Sequence, residues 1–172
     1  DKQIILVGQK QPEQENVTAD DLYTWGVLAT IKQKLQLPNG AVRLLVEGLE
    51  RVHVLHAAEV NENEQDFFVG EVEVVPADDA VDAEAEGLRR LLLDAFEQWT
   101  LLTKKVNPDT VQSLKSRADV SKVPDIIVGY LPLSLTEKEE LLEMAPLKLR
   151  LRKLYEILVR EQEIADVAKN IS

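Results

Sequence analysis

The sequence predicts an α+β protein, in which a small antiparallel β subdomain (residues 1–76) precedes an α-helical bundle (residues 77–172) that ends in one long helix. Three observations support this fold class. Apolar and polar residues alternate along much of the first half, which is typical of strands. Asn39-Gly40 stands between two such segments and indicates a β-hairpin. After Pro76, apolar residues recur at three- and four-residue steps, which indicates amphipathic helices.

The hairpin around Pro38-Asn39-Gly40 has the clearest pattern in the β subdomain. A two-residue type I′ turn at Asn39-Gly40 fixes the register of both strands. One face is then largely apolar, and we expect it to pack on a core while the other face meets solvent. The expected pairs are Leu37–Val42, Leu35–Leu44 and Gln33–Val46 on the apolar face, and Gln36–Arg43, Lys34–Leu45 and Lys32–Glu47 on the other.

The other strands are predicted from shorter patterns, and together they suggest a small barrel or curled sheet. Gly48 indicates a bulge or bend in the second hairpin strand. A polar turn is expected at Asn61–Asp66. The remaining strands are predicted at Ile4–Val7, Val52–Leu55 and Phe67–Val75.

The helical half begins with an acidic segment that has no compensating base nearby in the sequence, and we interpret it as a solvated linker and helix start. Its residues are Asp78, Asp79, Asp82, Glu84 and Glu86. The first helix has the apolar stripe Leu88, Leu91, Leu92, Ala95, Phe96, Trp99, Leu102 and Val106. Pro108 and Pro124 open short helices, and Thr136 with Glu139 fits a capping box. Pro146 opens the last helix, whose stripe is Leu147, Leu151, Leu154, Ile157, Leu158, Ile164, Ala168 and Ile171.

The composition narrows the functional classes. A net charge of −11 argues against a general binder of nucleic acids or anionic membranes, and no apolar run is long enough for a membrane span. The absence of cysteine fits a cytoplasmic protein. The only methionine is Met144, so we expect the chain to be a processed protein or a piece of a larger one.

No catalytic, cofactor-binding or metal-binding constellation is predicted. The strand containing His53 and His56 should point them to opposite faces, which argues against a shared metal site. The sequence has no phosphate-binding loop and no nucleophile elbow. We therefore expect no enzymatic activity and no cofactor.

The candidate protein-binding site consists of apolar residues at positions where the pattern predicts a solvent-facing surface. Leu45 falls on the charged face of the predicted hairpin beside Lys34, and Leu49 should follow it. Leu131-Pro132-Leu133 forms a second apolar patch at a helix end. Either neighbouring elements cover these side chains, or they are exposed and contact other proteins.

Ordered segments along nearly the whole chain resemble the amino-terminal domain of bacterial Lon, an ATP-dependent protease family. The segments in the β half are Asp21–Val27, Ile31–Gly40 and Leu45–Arg51. Those in the helical half are Leu131–Leu133, Glu137–Glu143 and Leu149–Glu163. The family's usual first strand and helix would precede Asp1, so the β subdomain is expected to lack its first strand.

The resemblance implies a PUA-like β subdomain and a helical subdomain whose last helix leads towards the ATPase module. It implies recognition of unfolded, damaged or tagged protein substrates, and partners in the rest of the Lon chain and in sister subunits of a hexamer. The ATPase motifs and the Ser–Lys protease dyad would lie beyond Ser172. The substrate contacts to be tested are Leu45, Leu49, Lys34, Leu131 and Leu133.

Two alternatives stay open at this point. The chain could be a stand-alone PUA-like module that binds a small molecule or RNA, although the acidic balance and the lack of an aromatic platform argue against RNA. It could also be an oligomerisation arm without a ligand.

Overall fold

The computed structural model describes residues 2–62, 65–77, 80–117 and 119–171. The chain divides into two compact units, residues 1–77 and 78–172. Asp78 and Asp79 of the predicted acidic segment lie outside the described residues, as do positions 63 and 64 of the predicted Asn61–Asp66 turn.

Within the described residues, the first unit is an antiparallel sheet of four strands that lie side by side in chain order. A 3₁₀ helix at Ala19–Asp21 precedes the second strand. Among the described residues, the first and last strands each pair with one neighbour only, so these strands form an open sheet and not a closed barrel. The strands are β1 Lys2–Gln9, β2 Leu22–Gln36, β3 Val42–Glu62 and β4 Gln65–Val75.

The predicted hairpin forms, but the predictions of a type I′ turn and of the strand register are both wrong. Gln36 pairs with Val42, one position away from the expected register. Gly40 has a φ of 85° and Asn39 has no positive φ, whereas a type I′ turn requires positive φ at both. The Gly40 N–H donates to the Leu37 carbonyl at 3.0 Å, and the Leu37 N–H donates to the Ala41 carbonyl at 2.8 Å. The loop is therefore a three-residue connection with a left-handed glycine.

Pro38 explains the difference in turn type. Its ring fixes φ near −65°, which suits the first central position of a type I turn. Asn39 then takes the second central position, and its side-chain oxygen accepts a hydrogen bond from the Ala41 N–H at 3.0 Å. Gly40 closes the loop in the left-handed conformation that glycine adopts without steric cost.

Extra residues interrupt the pairing of β3 with its two neighbouring strands at three places. Lys32 and Leu49 are unpaired in the pairing of β2 with β3, and the second of them lies next to the bend predicted at Gly48. Leu55 is unpaired between β3 and β4. Each such bulge shifts the alternation of side chains by one position.

The bulge at Leu55 corrects the expectation for the two histidines. His53 lies opposite Glu73 and His56 lies opposite Glu71, and these glutamates share one face of β4. The two histidines therefore lie on the same face, and the prediction of opposite faces is wrong. No group of three or more His, Cys, Asp or Glu in the described ranges is placed to hold a metal ion.

The described part of the second unit contains five α-helices, and with the sheet they confirm the α+β class. Asp82 caps the first helix by accepting a hydrogen bond from the Ala85 N–H at 2.9 Å. A 3₁₀ helix at Val120–Lys122 leads into the third helix. The helices are α1 Ala83–Thr103, α2 Pro108–Lys115, α3 Val123–Val128, α4 Leu135–Glu143 and α5 Leu147–Ile171.

The start of α4 differs from the predicted capping box. Ser134 is the N-cap residue, and its hydroxyl oxygen accepts a hydrogen bond from the Glu137 N–H at 3.2 Å. Thr136 lies inside the helix, and Glu139 is buried in the unit instead of capping it. The box at Thr136 and Glu139 is therefore wrong.

The hydrophobic core of this unit is built mainly by α1 and α5, which pack along each other. Phe96 and Trp99 of α1 stack with ring centroids 6.1 Å apart. The stripe predicted for α1 is buried or partly buried apart from Leu91, which is exposed, and the predicted Val106 lies beyond the end of the helix at Thr103. On α5 the buried stripe is Leu147, Leu151, Leu154, Ile157 and Leu158, while Ile164, Ala168 and Ile171 are exposed, contrary to expectation.

Basic residues that are distant in the sequence lie beside the acidic start of α1. Lys148 donates hydrogen bonds to Asp82 and Glu84, and Arg152 pairs with Glu84. These hydrogen bonds from Lys148 lower the pKa of Asp82 and of Glu84 below the usual values. Both bases lie on α5, so α1 and α5 begin side by side and run in the same direction.

Candidate functional site

The hairpin arm, residues 32–49, exposes several large apolar side chains. Five of its aliphatic residues are between 43% and 58% exposed. They are Leu35, Val42, Leu44, Leu45 and Leu49. The expectation that one face of the hairpin packs on a core is therefore wrong for this arm.

The observed register places apolar groups on both faces of the arm. Leu35 pairs with Arg43, and Gln33 pairs with Leu45, so Leu35 and Leu45 share one face. Lys34 pairs with Leu44, which puts Lys34 on the opposite face. The prediction that Lys34 lies beside Leu45 is wrong, because the turn shifts the register by one residue.

The charges of the arm are concentrated near these leucines. Residues 32–47 contain three cations, Lys32, Lys34 and Arg43, and one carboxylate, Glu47. Lys32 lies 3.3 Å from Glu47, so the predicted ion pair forms although Thr30 is the strand partner of Glu47. Both side chains are about half exposed, so the pair adds little stability. The arm is thus locally basic in an acidic chain.

The second predicted patch is not an exposed surface. Leu131 is 5% exposed and belongs to the core of the helical unit, and Leu133 packs against that core. Of the two alternatives left open by the sequence, coverage by neighbouring elements is therefore the one that holds for Leu131 and Leu133. Leu131 and Leu133 therefore offer little surface to a protein substrate in this conformation.

Three residues of the arm were missed by sequence reasoning. Leu35, Val42 and Leu44 were placed on a buried face, yet all three are exposed. The run Leu44-Leu45-Val46 held the available signal. A hairpin that packs on one side cannot bury three consecutive apolar residues, since successive side chains point to opposite faces.

Comparison with known proteins identifies the family to which this surface belongs. The model of a family described as "ATP-dependent protease La (LON) substrate-binding domain" matches residues 1–160. This chain belongs to the Lon substrate-binding domain family. The resemblance seen in the sequence is thereby confirmed, and within the described residues no helix of this Lon domain is long and apolar enough to span a membrane.

The curated relatives are similar to this Lon domain along its whole length. Lon protease 1 of Bacillus subtilis (strain 168) is 35% identical over 171 residues, which is 99% of this chain and 22% of the relative. Lon protease of Brevibacillus choshinensis is 36% identical over 171 residues, which is 99% of this chain and 21% of the relative. The chain therefore spans about a fifth of the length of these relatives.

Solved structures show the same fold. The N-terminal domain of a Mycobacterium avium complex Lon protease superposes with a TM-score of 0.60 at 24% identity, covering 84% of this chain and 72% of that one. A Lon N-terminal domain protein from Xanthomonas campestris gives a TM-score of 0.53 at 18% identity, covering 80% and 70%. At these identities the comparison supports the fold alone.

Proposed function

We propose that this Lon domain recognises unfolded or damaged protein segments through its hairpin arm and has no catalytic role of its own. The observation that supports the proposal is the set of exposed aliphatic side chains on both faces of the arm. A folded partner has already buried most of its large apolar side chains, whereas an unfolded partner presents them for contact with the arm.

The physical basis of this recognition is weak, non-directional apolar contact. Burying a large aliphatic side chain fully contributes roughly 1.5–3 kcal/mol, and a half-exposed leucine can gain only part of that. A single arm would therefore bind one segment weakly. Linked arms in an assembled protease would raise the overall affinity, because the second contact becomes intramolecular.

The basic residues of the arm would add a preference between segments. Lys34 and Arg43 lie on opposite faces, so each apolar face has a cation beside it. Segments that combine apolar with acidic residues would gain favourable charge contacts, while strongly basic segments would be disfavoured.

Leu45→Ser tests the proposal directly. We expect it to weaken binding of a reduced, permanently unfolded model protein about fivefold, which corresponds to about 1 kcal/mol of lost apolar contact. Binding is measured by fluorescence anisotropy of the labelled unfolded protein, with circular dichroism as a check on the fold.

Leu101→Ser is the matched control. Leu101 of α1 is 59% exposed and Leu45 is 58% exposed, so the two substitutions remove the same group from equally accessible positions. Equal effects of the two variants, or no effect of Leu45→Ser on a folded protein, would contradict a specific role for the arm.

The wider context implied by the family is part of the same proposal. We expect the domain to act in the cytoplasm as part of a Lon chain, and to support assembly with sister subunits. Sedimentation of the full-length protease with and without residues 1–77 would measure the contribution of the β unit to assembly.

A further inference from the structure

The helical unit contains an open groove that is separate from the hairpin arm. It has a volume of about 640 Å³, within the range of roughly 300–1,000 Å³ that is usual for ligand sites. The groove lies between the C-terminal ends of α1 and α5, beside the segment that joins α3 to α4. Its apolar lining comprises Trp99, Leu102, Pro132, Ile164, Ala165 and Ala168.

The groove has the dimensions of a short peptide segment. Its α5 side runs from Glu161 to Lys169, which is about 12 Å of helix at roughly 1.5 Å per residue. An extended peptide rises roughly 3.3 Å per residue, so three or four residues fit along it. Small side chains at Ala165 and Ala168 leave room for one or two larger apolar side chains of a ligand.

The rim of the groove is positively charged, although the chain as a whole is strongly acidic. Lys104, Lys105 and Lys169 line it together with a single carboxylate, Glu161. Arg160 lies 2.9 Å from Glu161 and also pairs with Glu137 at 2.8 Å, so it offsets only part of the negative charge of Glu161. Within the part of the chain that the structure describes, Lys104 and Lys105 make no ion pair.

The backbone at Lys104 is a second unusual feature of the rim. Lys104 follows α1 in the left-handed conformation, with a φ of 56°, and its N–H donates to the Thr100 carbonyl at 2.8 Å. Glycine is the usual residue at such a position, because a side chain there is strained. The sequence thus keeps an amine at this point at a cost in stability.

From the apolar lining and the lysine rim we propose that the groove binds a short acidic peptide segment, with one or two apolar side chains in the groove and carboxylates at the lysines. Such a peptide matches both parts of the groove. Its carboxylates would pair with Lys104, Lys105 and Lys169 at the rim, and its apolar side chains would cover Leu102 and Ala165 in the lining. This proposal is independent of the hairpin arm, which lies in the other unit.

The test uses a fluorescein-labelled twelve-residue peptide of Asp and Glu with a central Phe-Leu pair, titrated against the whole chain. We expect saturable binding that weakens with added salt, because exposed charge pairs are screened. A peptide with Lys in place of the acids, and one with Ser in place of Phe-Leu, should each bind at least about tenfold more weakly.

The double variant Lys104→Gly with Lys105→Gln should weaken binding of the acidic peptide about tenfold. Lys104→Gly alone should raise the melting temperature by about 2–4 °C, because glycine relieves the left-handed strain. A loss of binding in a more stable protein cannot be attributed to unfolding. The matched control is Lys122→Gln with Lys138→Gln, which removes the same charge outside the groove and should leave binding unchanged.

Three outcomes would overturn the proposal. They are equal binding of the acidic and basic peptides, an unchanged affinity of the groove variant, and a groove closed by a second copy, seen as a dimer by sedimentation with no peptide bound. Leu45→Ser distinguishes this site from the hairpin arm, because it should reduce binding of unfolded protein while leaving binding of the acidic peptide intact.

Discussion

Glu139 is the residue whose position departs furthest from what its chemistry favours. Its side chain is buried on α4, and its Oε2 atom accepts no hydrogen bond within the described residues. Burial, together with the nearby carboxylate of Glu143, raises the pKa of Glu139 to about 7. The folded state thus favours the protonated form of this group.

This buried carboxyl predicts a pH-dependent stability. Since the pKa of Glu139 is about 7 in the folded chain and about 4.5 in a free side chain, the folded state binds the proton more tightly between these values. The free energy of unfolding should therefore fall as pH rises from about 4.5 to about 7. Glu139→Gln should raise it by roughly 1–2 kcal/mol at pH 8 and change it little at pH 4, measured by urea unfolding.

Glu140→Gln provides the control for that experiment, because Glu140 is exposed on the same helix. It should shift the urea midpoint little at either pH. An effect of Glu139→Gln that is equal at pH 4 and pH 8 would contradict the assignment of the titration to this residue.

Glu139 also shows why the sequence could not determine where α4 begins. Ser134 with Glu137 and Thr136 with Glu139 both fit the capping-box spacing, so the local pattern allows two starts for α4. The choice depends on which residues face the core, which is a property of the packed unit. The helix was predictable from its sequence, but its first residue was not.

Among the elements, the junction between α4 and α5 is held by one buried arginine. Arg150 is 3% exposed, and its Nη1 atom donates hydrogen bonds to the carbonyls of Met144 and Ala145. Its Nε atom lies 3.7 Å from an oxygen of Asp125 on α3. One guanidinium group thus ties the connection to two helices, with a planar fork that lysine lacks.

Arg150→Lys should destabilise the helical unit by about 2 kcal/mol, because lysine keeps the charge but cannot reach all of these acceptors. Arg152→Lys is the matched control on the same helix, since Arg152 is mainly exposed and pairs with Glu84. It should cost less than about 0.5 kcal/mol. Urea denaturation followed by circular dichroism measures both, and equal costs would argue against the junction role of Arg150.

The hairpin arm shows why an element can be predicted while its surroundings are not. The alternation of apolar and polar residues, together with the Asn-Gly pair, was enough to predict two paired strands. Pro38 selected a different turn, and the resulting shift breaks every predicted cross-strand pairing, although the ion pair between Lys32 and Glu47 still forms. Exposure of Leu44 and Leu45 was beyond the pattern, because periodicity reports which residues share a face and not whether anything covers it.

Across the whole molecule, the two units differ in how much apolar surface they bury. In the β unit, the buried hydrophobic side chains among the described residues are Ala29 and Val52 alone. The helical unit buries a continuous cluster that includes Phe96, Trp99 and Leu154. The order of strands and helices was readable from the sequence, but this imbalance was not, since both halves contain many apolar residues.

The imbalance predicts that the β unit opens before the helical unit. Fully burying each large apolar side chain contributes roughly 1.5–3 kcal/mol, and the helical unit buries far more of them. Hydrogen exchange of the intact chain in increasing urea should therefore show amides of β2 and β3 exchanging at lower urea than amides of α1 and α5. Because an exposed apolar arm on a less stable sheet can adapt to irregular segments, this order also fits the proposed binding of unfolded protein. If the amides of both units exchanged in a single transition, the β unit would not be the less stable one, and the small number of buried apolar side chains would not determine its stability.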